Sequence, residues 1–411
     1  MTWPSDVRRL TIFIAHPSEV LTDHLPNGDG LVSFGFIRRL AERGHALHVA
    51  AQRVDLRAAL PPNVHVYPLS PRGGASTLDR MAFMVRMRLL FERLRRTIPF
   101  DLIHQMNPVF TGLSLSLVGA RPPLVLGTFV PRWDPGADEV EAAAAPPRRP
   151  LRDVIRHEMS RLQQSRAAGL LVASPHALTR ILRPDVHRDR IYHVPHGIDL
   201  ARFAERSAVP RRRSVLFLAN VIRRKGIFTL LAAFEEVARV MPDAELVIGG
   251  GGDDLGEVRR RTESMAGCRI RILGPVPRTE VQQLMREHAV YCLPSYGEPF
   301  ATTVLEAMAC GVPIVATRAG GMADLVDSDG GRLVEVRDAG ALALALFEVL
   351  ASRSLQESMG RHNRRKVEET FEVERTVDRL EDAYYAILGT RTLPRFEAGS
   401  SALAVDPEAM P

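Results

Sequence analysis

Short apolar runs alternate with longer stretches of helical period along most of the chain, the pattern of parallel sheets assembled from strand–helix–strand units. In the first half the runs are Leu10–Ala15, Ala46–Ala51, Val64–Leu69, Leu102–Gln105, Leu124–Thr128, Gly169–Ala173 and Ile191–Val194. Between them the spacing predicts helices over Val32–Arg43, Thr77–Thr97, Thr111–Val118, Leu151–Ala168 and Pro175–Leu182. The pattern restarts at Ser214–Ala219 and continues through Glu245–Gly249, Ile270–Gly274, Val290–Pro294 and Pro313–Thr317. Its helices are expected at Phe228–Val240, Glu257–Ala266, Arg278–His288, Thr303–Cys310 and Ala339–Leu350, with Leu355–Leu388 as one or two closing helices. Two doubly wound α/β halves follow from this alternation.

Periodicity fails at Pro195–Asp199 and in the basic stretch Glu205–Arg213, which places the boundary there. Residues 1–195 then form one domain and 196–370 a second, 371–390 is a helix expected to return to the first domain, and 391–411 is a disordered tail. Arg132–Pro150, rich in Pro, Ala and Arg, is longer than an ordinary connection and reads as a mobile loop.

Composition narrows the partners. A hydrophobic share of 45% with 25% charged residues fits a globular chain and excludes disordered and fibrous classes. The 54 Lys and Arg against 48 Asp and Glu give a net charge of +6, and the Arg-rich excess favours anionic ligands or a phospholipid surface. Nucleic acid is disfavoured, because the basic residues are dispersed and the 6% of aromatic residues leave few stacking platforms. Cys268, Cys292 and Cys310 make neither a disulfide framework nor a zinc pattern, which points to the cytoplasm. Met1–Arg9 lacks the order of a signal peptide, and no run reaches the ~18 apolar residues of a membrane span, so membrane contact would be peripheral, on the inner face.

Candidate chemistry concentrates at Tyr296-Gly-Glu-Pro-Phe-Ala-Thr-Thr-Val-Leu-Glu-Ala-Met-Ala-Cys-Gly-Val-Pro313. An apolar strand there passes through a loop into a helix whose free N–H groups can hold an anion, with Glu298 in the loop and Glu306 one turn into the helix. Both carboxylates can face the crevice at the strands' carboxyl ends and accept from hydroxyls. The plainer alternative is a capping box, Thr303 with Glu306, beside a solvated Glu298.

This stretch resembles the E-x7-E signature of retaining family 4 glycosyltransferases, E-P-F-G-x-x-x-x-E-A-M-A-x-G-x-P. Ala219-Asn-Val-Ile-Arg-Arg-Lys-Gly226 resembles the family's G-R-x-x-x-x-K-G segment, His196-Gly-Ile-Asp199 its interdomain N/H-G-V/I-D, and Ala319-Gly-Gly-Met-Ala-Asp324 its G-G-x-x-E. The resemblance implies the GT-B fold, two Rossmann-like domains facing across a cleft, the first on the acceptor side and the second binding a nucleotide-sugar. It implies transfer of a hexosyl or N-acylhexosaminyl group with retention and without a metal or other cofactor, to a small-molecule, glycan or lipid-linked acceptor. By the same resemblance Lys225 grips the diphosphate, Glu298 holds the donor sugar's hydroxyls, Glu306 the ribose, and the backbone of Phe300, Ala301 and Thr302 crowns the helix beside the phosphates.

Several positions depart from the family. Asn220 stands where it has an Arg, leaving Arg223 or Arg224 as substitutes, Ala301 stands for a Gly, and Val130 for the His of a T-x-H segment, with His104, Arg132 or Asp134 as replacements. His104 reads equally as a core imidazole. Asn27-Gly-Asp-Gly30 resembles the family's glycine-rich loop, in which Gly28 and Gly30 would let backbone approach the diphosphate, or is a flexible turn. Gly249–Gly252 suggests a close backbone approach, and Asp327-Ser-Asp329 reads as a turn in preference to a metal site. Leu78–Arg96 carries Met81, Phe83, Met84, Met87, Leu90, Phe91 and Leu94 among six arginines, either lying in a lipid headgroup layer or burying one apolar stripe. The departures leave two rivals: a GT-B relative that epimerises or phosphorolyses, and a non-catalytic sugar or nucleotide-sugar binder.

Overall fold

The computed structural model describes residues 8–25, 28–70, 77–106, 113–130 and 150–393. Asn27, Arg132, Asp134, the rest of the loop before Pro150 and the tail beyond residue 393 lie outside them. Two compact units emerge among the described residues: one takes everything to Gly197 together with Val373 onward, the other Ile198–Glu372.

In the N-terminal unit seven strands pair wholly in parallel: β1 (Thr11–Thr22), β2 (Ala46–Asp55), β3 (Val64–Pro68), β4 (Leu102–Met106), β5 (Leu124–Phe129), β6 (Gly169–Val172) and β7 (Ile191–His193). Their order is β3-β2-β1-β4-β5-β6-β7, so the chain reverses direction across the sheet between β1 and β4. Alternate residues of β1 serve opposite faces. Ile12 and Ile14 meet Phe34, Ile37 and Leu40 of α1 (Gly28–Glu42), while Phe13 and Ala15 meet Phe83, Met87 and Phe91 of α2 (Thr77–Leu94). A third helix, α3 (Pro150–Arg166), precedes β6.

The C-terminal unit repeats the plan with β8 (Ser214–Leu218), β9 (Glu245–Gly249), β10 (Arg269–Gly274), β11 (Val290–Leu293), β12 (Ile314–Thr317) and β13 (Gly331–Val334), ordered β10-β9-β8-β11-β12-β13. Its longer helices are α4 (Ile227–Val240), α5 (Leu255–Glu263), α6 (Val281–Glu287), α7 (Thr302–Ala309), α8 (Ala339–Ala351) and α9 (Arg353–Lys366). The last helix, α10 (Val373–Ile387), belongs to the N-terminal unit, where Arg43 pairs with Glu374, Asp378 and Glu381, and Val377, Leu380 and Tyr384 join the core.

Three local expectations are corrected and one strand is added. Helix α1 begins at Gly28, so Gly28 and Gly30 occupy its first turn and not a loop. The helices expected near 111–118 and 175–182 are short 3-10 turns, Leu113–Leu117 and Pro175–Arg180, too brief to gain the propagation that stabilises an α-helix. β13 was hidden because Gly331-Arg-Leu-Val334 is an edge strand of four residues directly after a turn.

Candidate active site

The C-terminal unit gathers most of the candidate residues where β8, β11 and β12 end. From β8 the chain turns through Asn220, which is exposed, into a 3-10 turn at Arg223–Lys225 and then α4. Gly226 makes this turn possible: its φ is +74° and a Cβ there would lie 1.8 Å from the Pro294 carbonyl oxygen. The loop after β11 is stitched to the same turn, since the Tyr296 N–H and the Ser295 hydroxyl both donate to the Arg224 carbonyl. On its other side Gly321 N–H donates to the Glu298 carbonyl at 2.9 Å. Glu298 is thereby held so that its carboxylate forms a close ion pair with the Lys225 ammonium, their side chains only 8% and 15% exposed.

Helix α7 follows. Its N-cap is Ala301, with φ −87° and no side-chain cap, so the methyl that replaces the expected glycine costs no strain. The capping-box alternative is not what forms, because Thr303 accepts from the Tyr291 hydroxyl at 2.8 Å and Glu306 pairs with Arg278. Phe300, Ala301 and Thr302 thus lead into an uncapped helix N-terminus. Glu306, 3% exposed, has its acidity weakened by burial, an effect opposed by Arg278 and then Arg202.

Sequence reasoning missed Arg278. The available signal was positional, a cation in the loop leaving the carboxyl end of β10, where ligands of such sheets bind. Of the two arginines expected to replace the missing one, Arg223 has its guanidinium 2.7 Å from Glu257, and Asp254 accepts from its N–H at 2.6 Å. Gly249–Gly252 packs its backbone against the 219–221 turn. Cβ atoms at Gly250 and Gly252 would meet the carbonyl oxygens of Ala219 and Val221 at 1.9 and 2.4 Å. Asp327 is occupied by Lys366 at 2.7 Å and His362 at 2.9 Å and accepts from the N–H groups of Asp329 and Gly330, which makes the segment a turn tied down by an ammonium.

In the N-terminal unit a small pocket is lined by Asp29, Ser33, His104, Gly127, Thr128 and His196, among others. His104 lies in it yet is satisfied, its two ring nitrogens bonded to the Tyr384 hydroxyl at 2.6 Å and the Gly127 carbonyl at 3.0 Å. Burial lowers its pKa to about 4, so it sits there neutral.

Two parallel doubly wound α/β units, each with its own core, make up the GT-B fold. Residues 201–366 match the family model of glycosyl transferases group 1 and residues 27–202 that of glycosyltransferase family 4. The chain belongs to this family of glycosyltransferases. It is 39% identical over 170 residues to the phosphatidyl-myo-inositol mannosyltransferase of Mycolicibacterium smegmatis, a match covering 40% of this chain and only 44% of that relative. With the MMP alpha-(1->4)-mannosyltransferase of Mycolicibacterium hassiacum the identity is 30%, over 66% of this chain and 67% of the relative. Among solved structures, the sucrose-phosphate synthase of Thermosynechococcus elongatus superposes with a TM-score of 0.74 at 21% identity, covering 92% of this chain and 99% of that one.

Proposed function

We propose that the protein transfers a sugar, with retention, from a nucleoside-diphosphate donor to a hydroxyl acceptor, and needs no metal or other cofactor for it. The Lys225–Glu298 pair beside the uncapped start of α7 carries this reading. Both groups are already desolvated and oriented, so the donor exchanges partners with them and requires no new ordering. Its diphosphate takes the Lys225 ammonium and the N–H groups at Phe300, Ala301 and Thr302, and its sugar hydroxyls donate to the released Glu298 carboxylate. Glu306 accepts from the ribose. The bond from the anomeric carbon to the phosphate oxygen breaks while one to the acceptor oxygen forms on the same face. The acceptor's proton passes to the departing phosphate, whose added charge Lys225 and the helix dipole stabilise.

Release of nucleoside diphosphate from UDP-, GDP-, ADP- and dTDP-sugars tests this. The native chain is expected to hydrolyse one of them slowly, and Lys225→Met or Glu298→Gln to lower that rate by about 10²–10³-fold. Binding of a donor without any release would instead mark a nucleotide-sugar binding protein.

We also propose that the acceptor is lipid-linked and that the chain meets the anionic inner face of a membrane through α2. That helix buries Phe83, Met87, Leu90 and Phe91 against the sheet, yet Leu78, Met81, Val85 and Leu89 are 58–77% exposed. At 100° per residue these four form a second stripe on the opposite face, which also carries Glu92, paired with Arg88 at 2.6 Å, and is bordered by Arg86 and Arg93 on one side and Arg88 on the other. Apolar residues flanked by guanidinium groups suit an anionic bilayer surface. The M. smegmatis relative is named for a phosphatidylinositol acceptor. No helix among the described residues is long and apolar enough to cross a membrane.

A further inference from the structure

Glu306 is a half-used carboxylate. One oxygen is clamped by the Arg278 guanidinium, while the other, Oε2, is buried with no hydrogen-bond partner among the described residues. A buried, unpaired carboxylate oxygen is costly to keep, and a ligand hydroxyl is the group that would satisfy it. Arg278 is itself only partly satisfied, its Nε also lacking a partner. Its guanidinium carbon lies 5.5 Å from the centre of the buried Phe203 ring, within cation–π range, so the aromatic face gives the cation a seat independent of Glu306.

We propose that Arg278 is a positioning residue of the donor site: seated on Phe203, it holds Glu306 charged by its Oε1 and leaves Oε2 as the acceptor for a ribose hydroxyl. This rests on the donor-site reading above and adds to it what opposes the protonation that burial favours in a nearly inaccessible carboxylate. The groups acting on Glu306 are few. Arg278 comes from the loop after β10, Arg202 from the single turn at Leu200–Arg202, Tyr291 from β11 and Cys310 from the end of α7. Burial drives the Tyr291 hydroxyl well above its ordinary range and the Cys310 thiol to about 12, so neither changes charge near neutrality. Arg278 opposes the protonation of Glu306 that burial favours, so Glu306 takes up a proton more readily once that cation is gone.

The test uses the full chain, with UDP and GDP each compared with its 2′,3′-dideoxy analogue by calorimetric titration at pH 6, 7 and 8. For the native protein, the nucleotide that binds is expected to do so with nearly constant affinity over this range and to lose affinity in the dideoxy form. In Arg278→Met its affinity is expected to fall by about tenfold or more at pH 6 and to recover toward pH 8, with the dideoxy analogue unaffected. Arg278→Lys, which restores the charge without the fork, is expected to recover most of the loss at pH 6. A loss in Arg278→Met that is equal for both analogues, or that does not vary with pH, would overturn the positioning role while leaving the donor site standing. Failure of the native chain to bind either nucleotide would remove the donor-site reading, and the role of Arg278 with it.

Discussion

Both units order their strands alike about the first one, β2-β1-β4-β5 in the N-terminal unit and β9-β8-β11-β12 in the C-terminal unit, but they differ in what they bury near the strand ends. Where β8, β10 and β11 lead out of the sheet, the C-terminal unit holds charge in pairs, Lys225 with Glu298 and Arg278 with Glu306. The N-terminal unit buries imidazole: His16, His104 and His196 are all nearly inaccessible, and burial lowers each pKa to about 4. A paired ion keeps its charge inside a protein, whereas an imidazole sheds its proton. The same topology therefore carries paired charges near the strand ends of one unit and neutral rings near those of the other.

The largest consequence lies in acid stability. Each of the three histidines has a folded pKa below its unfolded value of about 6.5. Between roughly pH 6.5 and 4 the unfolded chain therefore binds more protons than the folded one, and stability falls as pH falls. Full uptake by one histidine is worth about 1.4 kcal/mol per pH unit, so three approach about 4 kcal/mol per pH unit in the middle of the window. Denaturation followed by hydrogen exchange at pH 7 and pH 5 is expected to show β4 and β5 losing far more protection than β11 and β12. Equal losses in the two units would erase the contrast.

Glycine gives the next effect. Gly226→Ala must place a methyl on a left-handed backbone against the Pro294 carbonyl, with an expected loss of about 2–4 kcal/mol and of the seat of Lys225. At Gly28, in the first turn of α1, a Cβ meets nothing within 4 Å. Gly28→Ala is therefore expected to be neutral or to stabilise by up to about 1 kcal/mol. Thermal midpoints of the two variants, measured side by side, sharpen the difference. A destabilised Gly28→Ala would show that this glycine too answers a steric demand.

These glycines show what could be read in the chain itself. The two α/β halves are legible because parallel strands buried on both faces leave apolar runs that little else produces, and Glu298, Glu306 and Lys225 stand out as candidates because their order and spacing match a known family. What stayed hidden depends on contacts between residues far apart in the chain. Arg278 sits 28 positions before Glu306 and can be paired with it only once β10 and β11 have their places in the sheet. Likewise nothing local told Gly226, pressed on Pro294, from Gly28, pressed on nothing.

Helix α2 makes the smallest demand on stability. Its apolar residues are split between a buried and an exposed face, so they nearly cancel in any reading of amphipathic period, and the sequence offered only a choice between lipid and core. The structure lets both apply to different residues, because Phe83 and Met87 serve the core while Leu78 and Leu89 stay outside. A Leu78→Asp, Leu89→Asp double variant should fold as the native chain does, within about 0.5 kcal/mol per site, since exposed positions rarely contribute more. Co-flotation with vesicles of phosphatidylglycerol and phosphatidylcholine is expected for the native protein, weakened by salt and largely lost in the variant. If the native chain stays in the soluble fraction beside anionic vesicles, the outer stripe of α2 needs an occupant other than lipid.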